Sequence, residues 1–307
     1  MIASTPYLEV TVAGLSQGAV LGLLALGLVL IYRTTGVMNF GHWAIGLMGL
    51  TLYALLADHV MPVGPAVIVG LVGAVVAGIL SYRFVFRRVP RANQIVMILI
   101  AFGVAQLFAS VAALALGFKS TTTIPGWIPA HVYHIHGATI YLKDIVIGVV
   151  SIGLAVGFLI WFRTSRTGRA LRAVAQNREA AQLAGIDDVK YSTIAWGIGA
   201  ALAGLALLLA IPHRANNSGA ILTTDLVPIS TILVPAFGAA LVGGLVNMPA
   251  ALAGGLLFGL AENLTVLVPA LANLSQTIAA GLIVVLLLLR TERLFTTQQE
   301  REALESG

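Results

Sequence analysis

Residues 8–32 read LEVTVAGLSQGAVLGLLALGLVLIY. Apart from Glu9 near its start the run carries no charge, and it is long enough to cross a bilayer as one helix. Residues 1–7, MIASTPY, contain no Lys or Arg, so the basic leader of a cleavable signal is missing and the run is expected to be a retained first helix. Its first basic residue, Arg33, lies beyond its C-terminal end, which predicts an N-terminus outside the cell.

Further apolar stretches follow at 39–57, 63–82, 95–116, 144–162, 192–211, 229–246, 249–268 and 271–289. None alternates polar with apolar residues as a lipid-facing strand does, and backbone groups facing hydrocarbon must be paired within a helix. Hydrophobic residues make up 59% of the 307 and charged residues 9%, against about a quarter charged in a soluble domain. With so few charges, lipid rather than water must cover most of the surface. That excludes a soluble enzyme, a disordered tail and a nucleic-acid binder. The expected fold class is all-α: one polytopic transmembrane helical bundle over 1–307, with about 8–9 spans. The segment 39–57 is barely long enough to span, a broken or re-entrant helix being its alternative.

Basic residues orient the spans. Arg33, Arg83, Arg87, Arg88, Arg91, Arg163, Arg166, Arg169, Arg172, Arg178, Lys190, Arg290, Arg293 and Arg301 all follow odd-numbered runs, leaving Lys119, Lys143 and Arg214 on the other side. Positive loops face the cytoplasm, so the expected topology is N-out, C-in, with a cytoplasmic tail at 291–307. The net charge of +5 reports this topology more than an anionic partner. The chain has no Cys, so disulfides and thiolate metal sites are excluded.

Glycine recurs every fourth residue at Gly14, Gly18 and Gly22, at Gly153 and Gly157, and at Gly255 and Gly259, which predicts close helix packing at all three places. Gly14–Gly18 also spells G-x-S-x-G, but that nucleophile pattern needs a strand-to-helix elbow and here sits inside an apolar run. Polar residues inside apolar runs are candidates for function. Asn39 and His42, with Phe40 between them, open the short segment. Asn39 is expected to cap a half-helix whose amides attract a carboxylate, or to be a plain cap beside a hydrogen-bonded His. Asn247 opens a second glycine-interrupted segment. Glu262, the one acid well inside an apolar run, is expected either to hydrogen-bond Gln106 or Asn263 or to line a path. His131, His134 and His136 form H-x-x-H-x-H in the outer loop 117–143. No acid or Cys ligand accompanies them, so a solvated loop is expected there and no metal. The loop 212–228 reads as turn-rich.

Residues 163–191, RTSRTGRALRAVAQNREAAQLAGIDDVKY, form the long hydrophilic link. Ser165 or Thr167 is expected to cap one amphipathic helix under the membrane, and Gly185 to end it. Glu179-Ala180-Ala181, three more residues and then Gly185 resemble the EAA-x-x-x-G signature of ABC importer permeases. Tyr32-Arg33 with Val37-Met38-Asn39-Phe40-Gly41-His42 resembles the opening of branched-chain amino acid permeases of the LivH type. Gly168–Gln176 resembles their cytoplasmic stretch, and Ala236–Gly244 with Gly254–Glu262 their glycine-rich C-terminal block. The likeness covers most of the chain. It departs at Trp43-Ala44, where the family has Gly and Glu, and at Leu245–Ala251, near the presumed path.

The resemblance implies a subunit of a multi-pass inner-membrane importer for branched-chain or other hydrophobic amino acids, with no enzymatic activity and no cofactor of its own. It implies two ABC ATPase subunits, a second homologous permease and an external solute-binding protein as partners. The site residues it implies are Arg172, Arg178, Glu179, Ala180, Ala181 and Gly185 for ATPase coupling, beside Asn39, Phe40, His42, Asn247 and Glu262 along the substrate path. Urea or short amides remain alternative cargoes, and a gradient-driven secondary carrier is the alternative class. The chain contains no G-x-x-x-x-G-K-[ST], so it has no P-loop, and ATP energy would have to arrive through 163–191.

Overall fold

The computed structural model describes residues 6–57, 60–89, 94–117, 121–123, 128–129, 131–135, 137–214, 220–222, 229–268, 270–271 and 274–295. The helices are α1 (Pro6–Thr35), α2 (His42–Ala57), α3 (Val63–Leu80), α4 (Gln94–Ala115), α5 (Leu142–Thr164), α6 (Arg166–Gln176), α7 (Arg178–Leu183), α8 (Asp188–Arg214), α9 (Ile229–Val242), α10 (Met248–Leu264) and α11 (Ser275–Phe295). The protein is an all-α, multi-pass membrane protein. Six of the described helical segments are long and apolar enough to cross a bilayer, and parts of α2, α9 and α11 form shorter apolar helices. At 1.5 Å per residue the 16-residue α2 reaches only about 24 Å, short of the roughly 30 Å hydrocarbon core. α9 is shorter still and carries Pro235 inside it.

α1 is the central post. Leu23, Leu24, Leu26, Leu28, Leu30 and Ile31 are fully enclosed, whereas the spans of α3, α4 and α5 are mostly open to the surroundings. α5, α8, α9 and α10 pack on α1, while α2 and α3 pack on each other and on α8. Lipid is as apolar as leucine, so helices here gain from close contact rather than from leaving water. Glycine supplies that contact. A Cβ at Gly18 would lie 2.7 Å from the Leu256 Cα, one at Gly46 2.7 Å from the Ala203 carbonyl, and one at Gly70 2.7 Å from the Gly49 carbonyl. The pairs Gly14–Gly259, Gly18–Gly255 and Gly22–Leu252 run α1 and α10 antiparallel along one seam. The third expected glycine face is a correction: nothing lies within 4 Å of a Cβ built at Gly153 or Gly157, so this face of α5 packs on no other described part of the chain.

The bundle therefore has a Pro6 end and a Thr35 end. At the Pro6 end the loops read as solvated and turn-rich hold four short strands: β1 (Thr121–Thr123), β2 (Val132–Ile135), β3 (Ala138–Tyr141) and β4 (Ala220–Leu222). β2 and β3 form a hairpin, with Val132 opposite Tyr141, and β1 pairs antiparallel with β4, tying the α4–α5 link to the α8–α9 link. Three β-branched threonines opposite Ala-Ile-Leu make a strand too short for its alternation to stand out in sequence. His136 lies outside the described residues, as does 291–307 beyond Phe295; the His131 ring meets Tyr133 edge-on at 4.9 Å. Among the described residues no group of His, Asp and Glu is arranged to hold a metal.

Candidate functional site

At the Thr35 end the hydrophilic link folds as two helices, not one. The Ser165 side chain, rather than Thr167, caps α6 by accepting the Gly168 N–H at 2.9 Å. Gly168, Leu171 and Val174 form its buried face. Asn177 breaks the helix with extended backbone and caps α7 by accepting the Ala180 N–H at 2.9 Å. Glu179 in the first turn suits the positive end of α7. Gly185, at φ +78°, takes the left-handed conformation that ends the helix and sends the chain into α8.

This arrangement divides the expected coupling residues in two. Arg172 donates to the Phe162 and Arg163 carbonyls at the end of α5, and its guanidinium lies 5.5 Å from the Phe162 ring centre. Arg33 from α1 lies 6.0 Å from the same ring. Arg178 donates through Nε and Nη2 to Asp188, the first residue of α8. Ala181 is buried. Those three fix α6 and α7 to α5 and α8. Glu179, Ala180 and Gly185 are exposed, and so is Leu183, at 91%. Leu183 is therefore an apolar side chain left open on a helix held from behind by Arg178. Sequence reading passed over it because Leu183 continues an ordinary helical pattern.

The second cluster lies where α1, α2 and α8 meet. The Asn39 Oδ1 accepts the Gly41 N–H at 3.0 Å and its carbonyl accepts the His42 N–H at 3.1 Å, a turn that leads into α2 at His42. Asn39 and His42 are both fully buried, and among the described residues the Asn39 Nδ2 and both His42 ring nitrogens have no hydrogen-bond partner. The His42 ring sits over Gly27 of α1, which in turn lies beside the Gly199 carbonyl of α8. Phe40 bridges outward, its ring 5.4 Å from Phe102 on α4 and 4.7 Å from Phe237 on α9. Asn247 is not brought to this cluster. It is exposed at the start of α10, where its Oδ1 caps the helix by accepting the Ala250 N–H at 3.2 Å.

Glu262 is also elsewhere, toward the Pro6 end. It makes an interhelical hydrogen bond to α1: Gln17 Nε2 donates to the Glu262 carboxylate at 2.6 Å, and Asn263 Nδ2 donates to the Gln17 Oε1 at 2.8 Å. The residue linking the two helices thus comes from the G-x-S-x-G stretch, which lies inside α1 as a helix requires.

Comparison with known proteins decides the family. Residues 10–288 match the family described as branched-chain amino acid transport system / permease component. The chain belongs to that permease family. It is similar to the high-affinity branched-chain amino acid transport system permease protein BraD of Pseudomonas aeruginosa, at 28% identity over 92% of this chain and 94% of the relative. LivH of Escherichia coli K12 is 27% identical, covering 84% of this chain and 86% of its own, and a probable LivH of Methanocaldococcus jannaschii is 30% identical over 79% and 76%. Among solved structures, PsaBC from Streptococcus pneumoniae in complex with Fab has a TM-score of 0.51 at 15% identity, covering 96% of this chain and 94% of that one, a likeness of fold alone. As a branched-chain permease, the protein presents two features that need a role: a pinned pair of helices with an open face, and a buried polar cluster at the junction of its central helices.

Proposed function

We propose that the chain is the permease subunit of an ATP-driven importer for branched-chain or other hydrophobic amino acids in the inner membrane. Partner ATPases would press on α7, a second homologous permease would complete the path, and an external binding protein would deliver cargo to the Pro6 end. The observation that carries this reading is α7: Glu179, Ala180, Leu183 and Gly185 are exposed, while Arg178 and Arg172 anchor the helix pair to α8 and α5. The family and its named relatives support the transport class and the cargo. Basic residues gather at the Thr35 end, which supports that end as cytoplasmic and the N-out, C-in orientation.

The same anchors define a route for movement. α8 begins at the Arg178–Asp188 pair and reaches the His42 junction at Gly199, so displacing α7 displaces the helix that encloses Asn39 and His42. Unpartnered buried donors are costly until they find an acceptor, and a cargo carboxylate is one. Phe40, Phe102 and Phe237 beside them supply an apolar wall suited to a hydrophobic side chain.

Reconstitution tests the whole reading. Proteoliposomes holding the permeases, ATPases and binding protein should take up labelled leucine only with ATP, and uptake should fail with Glu179→Gln. Solute flux through this chain alone, driven by a gradient, would overturn the proposal; uptake of urea or short amides instead would overturn the cargo.

A further inference from the structure

At the Thr35 end a cavity of about 280 Å³ lies between the end of α1, the chain after α3, the start of α4 and the α7–α8 corner. Its walls are mixed. Tyr82, Phe86 and Met97 are buried apolar lining, while Arg87, Arg178 and Asp188 bring two cations against one acid. Arg178 commits Nε and Nη2 to Asp188, but a guanidinium has five N–H donors, so capacity for a second anion remains. Arg87 is exposed and sits on a short 3-10 turn, Phe86–Arg88, that follows a π turn, Ser81–Val85. Together these turns carry Arg83, Arg87 and Arg88.

A second observation points to what fills the cavity. On α3 the residues Ile68, Val72, Val76 and Leu80 are all exposed at four-residue spacing, and the next step along the stripe is Phe84, also exposed. Arg88 lies 5.7 Å from the Phe84 ring centre. An apolar track the length of a helix therefore ends in an aromatic residue under Arg88, whose neighbour in sequence, Arg87, lines the cavity. That is the shape of a phospholipid, with tails on the track and a charged headgroup at its foot.

We propose that this cavity holds the phosphate of an anionic phospholipid of the inner leaflet between Arg87 and Arg178. The inference rests on the reading of the Thr35 end as cytoplasmic. Guanidinium groups take phosphate oxygens through paired hydrogen bonds. Arg178 opens α7, so the bound phosphate ties the α3–α4 connection to the helix pair. A free phosphate shares the headgroup chemistry but leaves the apolar track unused.

The test counts lipid. The full chain is purified from membranes containing phosphatidylglycerol, partly delipidated and weighed by native mass spectrometry, alongside Arg87→Gln and Arg166→Gln. Arg87 and Arg166 are both exposed, so neither change disturbs packing, and Arg166 does not line the cavity. The wild type should retain one phosphatidylglycerol, Arg87→Gln should retain about fivefold less, and Arg166→Gln should match the wild type. Equal retention by wild type and Arg87→Gln overturns the site, as does equal loss from both variants, which is surface charge alone. Inorganic phosphate offered to the stripped protein separates the sources: binding that depends on Arg87 where phosphatidylglycerol does not bind overturns the lipid. The count needs neither ATPase nor cargo, so its failure and failure of the transport reading register separately.

Discussion

Two pairs of glycines read alike in sequence and differ in the folded protein, so the same substitution should have opposite effects at the two places. Take Gly255→Ala with Gly259→Ala, and compare Gly153→Ala with Gly157→Ala. At the α10 pair each new Cβ meets only backbone of α1: the Gly18 carbonyl lies 2.7 Å from a Cβ at Gly255, and Gly18 and Gly14 backbone crowd the one at Gly259. Ordinary contact begins at 3.4 Å, so α10 must retreat by 0.7 Å or more, the difference between those two distances. A gap of roughly 0.5–1 Å forfeits about a quarter to a half of each dispersion contact it opens. The retreat also stretches the 2.6 Å Gln17–Glu262 bond. Overpacking costs about 1–3 kcal/mol per site, the strained hydrogen bond about 1–3 more, and better helix propensity returns about 1 per Gly→Ala. The net expectation is a loss of about 4 kcal/mol for the α10 pair. On α5, where no described atom lies within 4 Å, only the propensity gain of up to about 2 kcal/mol remains. Reversible unfolding of the purified protein in mixed micelles, followed by helical circular dichroism, measures both. An α10 double variant as stable as the wild type, or two pairs that shift alike, would refute the backbone-seam reasoning.

Leu183→Ser should lower ATP-driven uptake by about tenfold or more while leaving the unfolding curve of the purified chain in place, because the exposed side chain does not pack in the bundle and, on the proposed reading, meets the ATPase; parallel uptake and unfolding measurements check it. Single cysteines in this otherwise Cys-free chain report orientation: Gln182→Cys should react with a membrane-impermeant maleimide only from the cytoplasm, and Gly137→Cys only from outside. Glu262→Leu should destabilise the bundle by about 1–3 kcal/mol, since it strands the Gln17 amide in the α1–α10 seam, whereas Glu262→Gln should retain most of the stability. The same unfolding assay separates the two.

The apolar runs were legible because a bilayer imposes length and hydrophobicity on each helix independently of its neighbours. Each run coincides with a helix, from α1 to α11. What sequence could not supply was the partner of a given face. Gly153 and Gly259 carry the same signal, yet only one has a helix against it, because four-residue spacing describes a surface and not what covers it. The same limit explains Glu262. Asn263 is its neighbour in sequence, but the bond comes from Gln17, 245 residues away, and only the antiparallel register of α1 on α10 brings them together. The hydrophilic link shows the converse. Ser165, Asn177 and Gly185 punctuate it by local chemistry, and two of the three marks were readable; Asn177 was missed because the residues around it are good helix formers on both sides.

The division within that link bears on how a permease without its own nucleotide site can be moved. A helix that passes on force must be stiffly held on one side and adhesive on the other. Arg172 and Arg178 hold it, through two α5 carbonyls and the first residue of α8, and both bonds would be lost if α6 and α7 were merely lying on lipid. On the proposed reading α8 then carries the displacement inward along contacts too close to slide past one another freely: Gly78 against the Trp196 carbonyl, Gly46 against Ala203, Gly199 against Ile31 and Gly27. Close-packed interfaces of this kind shift between discrete arrangements rather than deform continuously. On the proposed reading, His42 and Asn39 lie fully enclosed at the far end of that chain of contacts, so their polar atoms open to cargo only when α8 moves. On that reading a zwitterionic amino acid is denied a continuous polar route while α7 is at rest.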